Sequence, residues 1–287
     1  MTDALRPALA ASVLLSLLLW ETARPFFPLF DRQPRARALH AARNLTLTAL
    51  NTLTVSLGFV ALWSWSASLA ETQRLGILHL IDPPPWAGTI ASILLLDGWT
   101  YAWHRLSHRV PALWRFHRVH HADTRMDVTT AGRFHLGEIA LSSLLRVPLI
   151  LALGISLPQL ALYEATMFTL VQFQHANIGL SPWLDRSLSL LIVTPGMHKV
   201  HHSRVQRETD SNYTSLFSFW DRLFGTYRTN PDPSSIRFGI DETDPTGGDP
   251  ADSNQAEPES LLSLMKAPFL PPKPKPSGPG TPNEPRP

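Results

Sequence analysis

The chain has 287 residues, 44% of them hydrophobic and only 17% charged, with a formal net charge of +2 and no cysteine. A soluble domain carries about 25% charged residues, so this balance points to a membrane. The absence of a long basic patch interleaved with aromatics excludes nucleic acid as a partner. Without cysteine there is no disulfide, no thiolate-held zinc or iron–sulfur cluster and no cysteine nucleophile, so any metal must be held by His, Asp or Glu.

A spanning helix needs about 20 largely apolar residues. The first candidate is ALRPALAASVLLSLLLW, ending at Trp20; only ETARPFFPLF follows, with no small-residue cleavage site, so it reads as a retained anchor. Residues 45–65 are the second candidate. Residues 86–103 are the third and run straight into His104. Residues 139–173 are too long for one pass and carry the turn signal GISLP, which predicts two short helices in a hairpin.

The first loop, residues 21–44, holds Arg24, Arg32, Arg35, Arg37 and Arg43, whereas residues 66–85 hold Arg74 alone. The positive-inside rule places the first loop in the cytoplasm, together with the end of the third span and both ends of the hairpin. The expected fold is an all-α integral membrane protein. It has four to five membrane helices, including the short hairpin, and a cytoplasmic helical cap, and it sits in a bacterial inner membrane. Residues 1–85 form the N-terminal anchor helices and residues 86–228 the catalytic domain. Residues 229–287 hold 14 of the 26 prolines and are expected to form a disordered tail, with LLSLMKAPFL as a segment able to dock on membrane or body.

Most of the twelve histidines fall in short clusters. In HRLSH, His104 and His108 are four residues apart, on one face of a helix. In HRVHH (His117, His120, His121) and HKVHH (His198, His201, His202) the first and last histidines share that relation, and the middle one lies beside them on nearly the same face. Each cluster is expected to aim two or three imidazoles at one point. Eight such nitrogens exceed the four of a tetrahedral zinc site and suit two metal ions with open positions. His175 and His135, where the apolar hairpin ends and begins, raise the total to nine or ten. A lone H-x-x-x-H pair is common without metal; three clusters on one side of a membrane are not. His40 and His79 stand apart and are expected to be solvated or interfacial. Asp97 is costly inside a span and is expected to accept an N–H from a ligand imidazole.

The runs D-x-x-x-Y-x-x-H-R-x-x-H (Asp97 to His108), W-R-F-H-R-V-H-H, R-F-H-x-x-E (Arg133 to Glu138), H-K-V-H-H, D-S-N-Y and F-W-D-R-L-F-G-T-Y together resemble the fatty acid hydroxylase/sterol desaturase superfamily over roughly residues 90–228. Leu136 stands where a Pro is common in that family, and Thr214 where a Gly is common. The resemblance implies a membrane-bound oxygenase with two iron ions (zinc being the alternative in the isolated protein) that uses O2 to hydroxylate or desaturate a lipophilic substrate such as a fatty acyl, sterol or isoprenoid lipid. It implies that His104, His108, His117, His120, His121, His175, His198, His201 and His202 are ligands. His135 is a further candidate, and Asp97, Tyr101, Glu138, Asn177 and Asp210 are expected to support the ligands. Imidazole suits iron, zinc and copper alike, so the residues alone do not choose the metal. With no Cys, no dinucleotide fingerprint and no appended cytochrome-like domain, electrons must come from a separate partner, a reductase with ferredoxin or cytochrome. Within the family, ether cleavage is an alternative outcome. Outside it, the alternative is a non-redox zinc- or metal-binding membrane protein. A transporter is disfavoured, because the histidines lie at span ends and not at the midplane.

Overall fold

A computed structural model describes residues 5–240 and 260–270, with side chains from residue 8 onward. Its helices, in chain order, are α1 (Leu5–Ala23), α2 (Pro34–Gly58), α3 (Val60–Thr72), α4 (Ile77–Ile81), α5 (Pro85–Arg109), α6 (Pro111–His121), α7 (Leu136–Leu153), α8 (Leu157–His175), α9 (Pro182–Leu188), α10 (Pro195–His201), α11 (Gln206–Thr209), α12 (Phe219–Leu223) and α13 (Leu261–Lys266). A 3-10 turn, Val128–Gly132, joins the α6 and α7 regions. Among the described residues there is no strand, only the isolated bridges Ile192–Phe217 and Ser203–Phe238. The all-α class is as expected.

Prolines punctuate the chain. Six helices (α2, α5, α6, α8, α9 and α10) carry Pro in the first turn, where its missing N–H is no loss and its fixed φ suits the helix. Pro111 also bars Val110 from helical geometry, leaving it extended (φ −95, ψ 115). The chain therefore turns sharply between α5 and α6, and the histidines of the two helices come face to face. The predicted hairpin is present. Gly154 ends α7 in the left-handed region (φ 73), and a Ser156/Gln159 capping box starts α8. Only glycine fits at Gly76 beneath this turn, since a Cβ there would lie 2.2 Å from the Gly154 nitrogen.

Leu136–Leu153 is the one described helix long and apolar enough to cross a membrane by itself; Pro34–Gly58 and Val60–Ile81 qualify only as a pair, bent by 46°. The expected span at 45–65 is thus broken near Phe59. The span at 86–103 lies within α5, whose inward face carries buried Ser92, Asp97 and Tyr101; this polar face lowers its hydropathy. An apolar core of Trp63, Leu96, Ile150, Leu160 and Tyr163 ties α3, α5, α7 and α8 together, and the Trp63 indole donates to the Ser143 carbonyl at 2.9 Å. Arg146 pairs with Glu164 across the hairpin.

The described parts of the expected disordered tail are ordered. Ile236 and Phe238 pack with Phe27, Met126 and Val200. Leu264 packs with Leu47 and Val119, and the Arg118 guanidinium donates to the carbonyls of Ala267 and Leu270. Proline-rich sequence removes helical periodicity but not the few apolar side chains that anchor these pieces. Residues 241–259 and 271–287 lie outside the described residues.

Candidate metal centre

Four elements converge at one end of the bundle: the last turns of α5 (His104, His108), the C-terminal half of α6 (His117, His120, His121), the final residue of α8 (His175), and α10 with its cap (His198, His201, His202). The nine imidazoles form two groups. His104, His108, His117, His121 and His201 make one, and His120, His175, His198 and His202 the other, with the ligand-type atoms of each group within 4.8 Å of one another. The groups adjoin, for the His121 and His202 rings stack at 4.5 Å.

This sorting differs from the expectation that each H-x-x-H-H cluster aims at one point. On a helix of 3.6 residues per turn, positions i and i+4 are about 40° apart, while i+3 lies about 60° to the other side. His117 and His121 therefore share a group and His120 turns to the other; His198 and His202 share a group and His201 turns away.

Hydrogen bonds fix which nitrogen is free in four of the rings. His104 Nδ1 faces the Tyr213 carbonyl at 2.6 Å, His201 Nδ1 the Ser211 carbonyl at 2.7 Å, and His175 Nδ1 the Val171 carbonyl at 2.7 Å. His117 Nδ1 faces Glu138 Oε1 at 2.8 Å. Carbonyls and carboxylates only accept, so each Nδ1 carries the proton and each Nε2 presents a lone pair. Yet His104 Nε2 and His201 Nε2 lie 3.0 Å apart, with no hydrogen between them. Two converging lone pairs repel unless a cation lies between them. His108, His121 and His202 add buried nitrogens with no partner, which is costly unless something binds there. Burial and neighbouring imidazoles hold His120, His121, His198 and His202 well below the ordinary imidazole range, and His201 is pushed down to about 3, first by burial. These rings are neutral at physiological pH, as metal ligands must be. The donor set fits two closely spaced metal ions.

The remaining predicted residues divide. Glu138 orients His117, and Asp210 approaches His108 Nδ1 at 3.5 Å. Asp97 does not meet an imidazole; it accepts the backbone N–H groups of Leu216 and Phe217 at 3.1 and 3.0 Å. Its carboxylate, with that of Asp221 on Tyr213 N and Thr214 N, fixes the loop whose Tyr213 carbonyl orients His104. Tyr101 bonds Thr226, and Asn177 clasps the backbone of Phe27. His135 lies outside both groups, with Nδ1 accepting from Gly137 N and Nε2 at 3.1 Å from the Met265 carbonyl.

His40 is not solvated. It is buried in α2, with Nε2 2.9 Å from Asp123 Oδ1. Burial alone would lower its pKa, but the Asp123 and Asp127 carboxylates raise it to about 9. Asp123 also accepts from Thr130 at 2.7 Å, so this cluster braces the chain just past His121. Lys199, between two of the histidines, is buried and donates to the Ala176 and Ile178 carbonyls, tying α10 to the end of α8; burial pushes its ammonium down to about 7. Neither role carries a spacing signal in the sequence.

Residues 89–226 match the fatty acid hydroxylase family. The chain is similar to an ornithine lipid hydroxylase of Rhizobium tropici (36% identical over 155 residues, 53% of this chain and 45% of the relative). It is also similar to human alkylglycerol monooxygenase (31% over 160 residues, 55% and 34%) and to mouse cholesterol 25-hydroxylase (31% over 186 residues, 61% and 56%). The match thus spans from about a third to a little over half of these relatives' lengths. No solved structure matches the chain.

Proposed function

We propose that the chain, whose residues 89–226 match the fatty acid hydroxylase family, is a membrane-bound lipid oxygenase of the fatty acid hydroxylase/sterol desaturase superfamily. The observation that carries the reading is the meeting of imidazole lone pairs, His104 Nε2 against His201 Nε2, inside a nine-histidine site. Two iron ions held there, supplied with O2 and external electrons, would provide the oxidising power that an unactivated C–H bond demands. The five-histidine and four-histidine groups would each hold one ion, and the nine histidines are the assigned ligands. Glu138 and the Tyr213, Ser211 and Val171 carbonyls keep the Nε2 lone pairs turned inward. Burial keeps bulk water from the rings.

The substrate is a lipid, hydroxylated or desaturated, and the relatives' names make a hydroxylated product the leading outcome. Similarity to an alkylglycerol monooxygenase favours an ether lipid as the second candidate. Electrons come from a separate reductase with ferredoxin or cytochrome. We place α1, residues 45–65, residues 86–103 and the α7–α8 hairpin in the bilayer, supported by exposed Leu15, Leu19, Leu53, Leu57, Ile90, Leu144 and Leu162 along them. The Arg-rich loop supports a histidine end on the cytoplasmic side, and the membrane we propose is a bacterial inner membrane.

The test is metal analysis of protein purified in mild detergent, followed by O2 consumption after reconstitution with iron, reductase and electron carrier. Close to two metal ions and lipid-dependent O2 uptake are expected. Zinc that cannot be exchanged for a redox-active ion, with no O2 uptake, would replace this reading with that of a non-redox metal protein. Lipidomics of a deletion strain against its parent then names the substrate.

A further inference from the structure

Between Asp97 and Asp123 the chain carries four arginines and no acidic residue. Arg118 is taken up by the Ala267 and Leu270 carbonyls. The other three gather where α5 turns into α6. Arg105 and Arg109 share one face of α5, four residues apart, and Arg115 follows across the Pro111 turn on α6. Arg109 and Arg115 are exposed and Arg105 is half-buried; among the described residues none of the three takes part in an ion pair. The acid that approaches this corner, Asp210, is turned to His108 Nδ1 at 3.5 Å and to the Gln206 amide at 2.8 Å. Arg109 and Arg105 also act on the charge of the Tyr213 phenol, whose ring lies 5.1 Å from that of His108. The positive corner therefore adjoins the five-histidine group.

Trp114 stands at the same corner, half-buried and next to Arg115 in the chain. Its indole packs on three rings of that group, with centroids 5.1 Å from His108, 5.6 Å from His121 and 6.3 Å from His117. All three imidazoles are buried; the His108 side chain is 1% exposed. One side chain thus reaches from the protein surface to three ligand-type rings that solvent does not touch.

We propose that the α5/α6 corner docks an electron-transfer protein with an acidic face, and that Trp114 bridges its electrons into the five-histidine group. The proposal rests on the oxygenase reading for the fate of the electrons, but docking itself needs no turnover. Tunnelling falls steeply with distance, so a partner must bring its redox centre to the thinnest wall over the histidines. Each encounter oxidises the partner's iron–sulfur cluster by one electron and reduces the site by one; two encounters serve one turnover, and the indole keeps no charge. Redox encounters bury little surface and are weak, so the unpaired guanidiniums act chiefly by steering. Anionic lipid headgroups also attract arginine, but they have no use for the indole, and Arg115 stands on α6, past the end of the span at residue 103 and past the Pro111 turn.

The probe is a plant-type 2Fe–2S ferredoxin of acidic surface, offered to the full chain in phosphatidylcholine nanodiscs. Binding is measured first on zinc-loaded protein, where no electron moves. Affinity is expected to fall about tenfold between roughly 20 and 200 mM salt. Arg109→Glu and Arg115→Glu should each weaken binding about tenfold, and Arg74→Glu, at the other end of the bundle, should leave it unchanged. Cytochrome c, whose surface is basic, should not bind. Ferredoxin oxidation is then followed without O2 on iron-loaded protein, with metal content measured for every variant. Trp114→Leu should bind ferredoxin as wild type does yet oxidise it several-fold more slowly, while methyl viologen radical, which needs no docking, reduces both at one rate. Trp114→Phe keeps a ring at this position and should recover most of the ferredoxin rate. Ferredoxin binding indifferent to salt and to both reversals, or equal binding of cytochrome c, overturns the docking surface. So do reversals that change phosphatidylglycerol retention and leave ferredoxin binding intact. An undiminished ferredoxin rate in Trp114→Leu overturns the bridge. With ferredoxin binding as expected, lack of viologen-driven O2 uptake strikes the oxygenase reading and leaves the docking surface standing.

Discussion

Glu138→Gln is a sharp probe of how the site is held together. Glu138 sits in the first turn of α7 and is 7% exposed, with Oε1 2.8 Å from His117 Nδ1. A carboxylate can only accept, so it forces the proton onto Nδ1 and leaves the Nε2 lone pair for the five-histidine group. An amide changes this in one of two ways. With its oxygen towards His117 the hydrogen bond survives without charge, at roughly half the strength. With its nitrogen towards His117 it drives the proton to Nε2 and removes one of the five ligand atoms. Loss of such a support weakens metal binding by about 10–100-fold. Glu138→Gln is expected near the lower end and Glu138→Ala, which leaves Nδ1 buried and unpaired, near the upper. Competition with a chelator of known affinity reads the two metal equivalents separately, and only one should weaken. Unchanged affinity in both variants, or equal loss of both equivalents, would refute the orientation argument.

The sorting of the histidines makes its own forecast: His120→Ala strips the four-histidine group to three, and His201→Ala leaves the other group with four, so the first should lose close to one metal equivalent and the second should lose less, as metal analysis will show. Reporter fusions after residue 44, near residue 125 and at the C-terminus should report cytoplasm, and one near residue 80 should not; an external signal at residue 125 would reverse the orientation. Truncation after residue 240 removes the cover on Val119 and the acceptors of Arg118; the melting temperature should fall by several degrees while both metal equivalents are retained. For pH, the His40 pair gives a signed expectation. Its folded pKa, about 9, lies above the unfolded value of about 6.5, so its contribution, at most on the order of 3 kcal/mol, is complete below pH 6.5 and fades as pH rises through 9. Melting curves should show a loss of stability between pH 7 and 10 that His40→Asn lacks.

The i, i+4 spacings, the helical class and the α7–α8 hairpin were legible in the sequence because each is a local property of the chain. What escaped depends on contacts far apart in sequence or on the backbone. The Tyr213, Ser211 and Val171 carbonyls orient three imidazoles, and no residue type announces a carbonyl's direction. Asp97 was legible as a buried carboxylate but not as a brace for Leu216 and Phe217, since its partners lie about 120 residues away. His40 looked isolated because its partner, Asp123, is 83 residues distant. Tail residues around Leu264 looked unstructured because proline content hides the packing of Leu264 on Leu47 of α2 and Val119 of α6.

The two H-x-x-H-H repeats explain why the site is uneven. Each repeat sends two imidazoles one way and one the other, and α6 and α10 send their pairs in opposite senses, which by themselves would give three and three. α5 then adds His104 and His108 to one group, whereas α8 adds only His175 to the other. The group of four therefore keeps more room for a further ligand than the group of five. Ligand substitutions should then divide in the same way: one among His120, His175, His198 and His202 should cost that group's metal equivalent, and one among the five should cost less, with the other equivalent kept in each case.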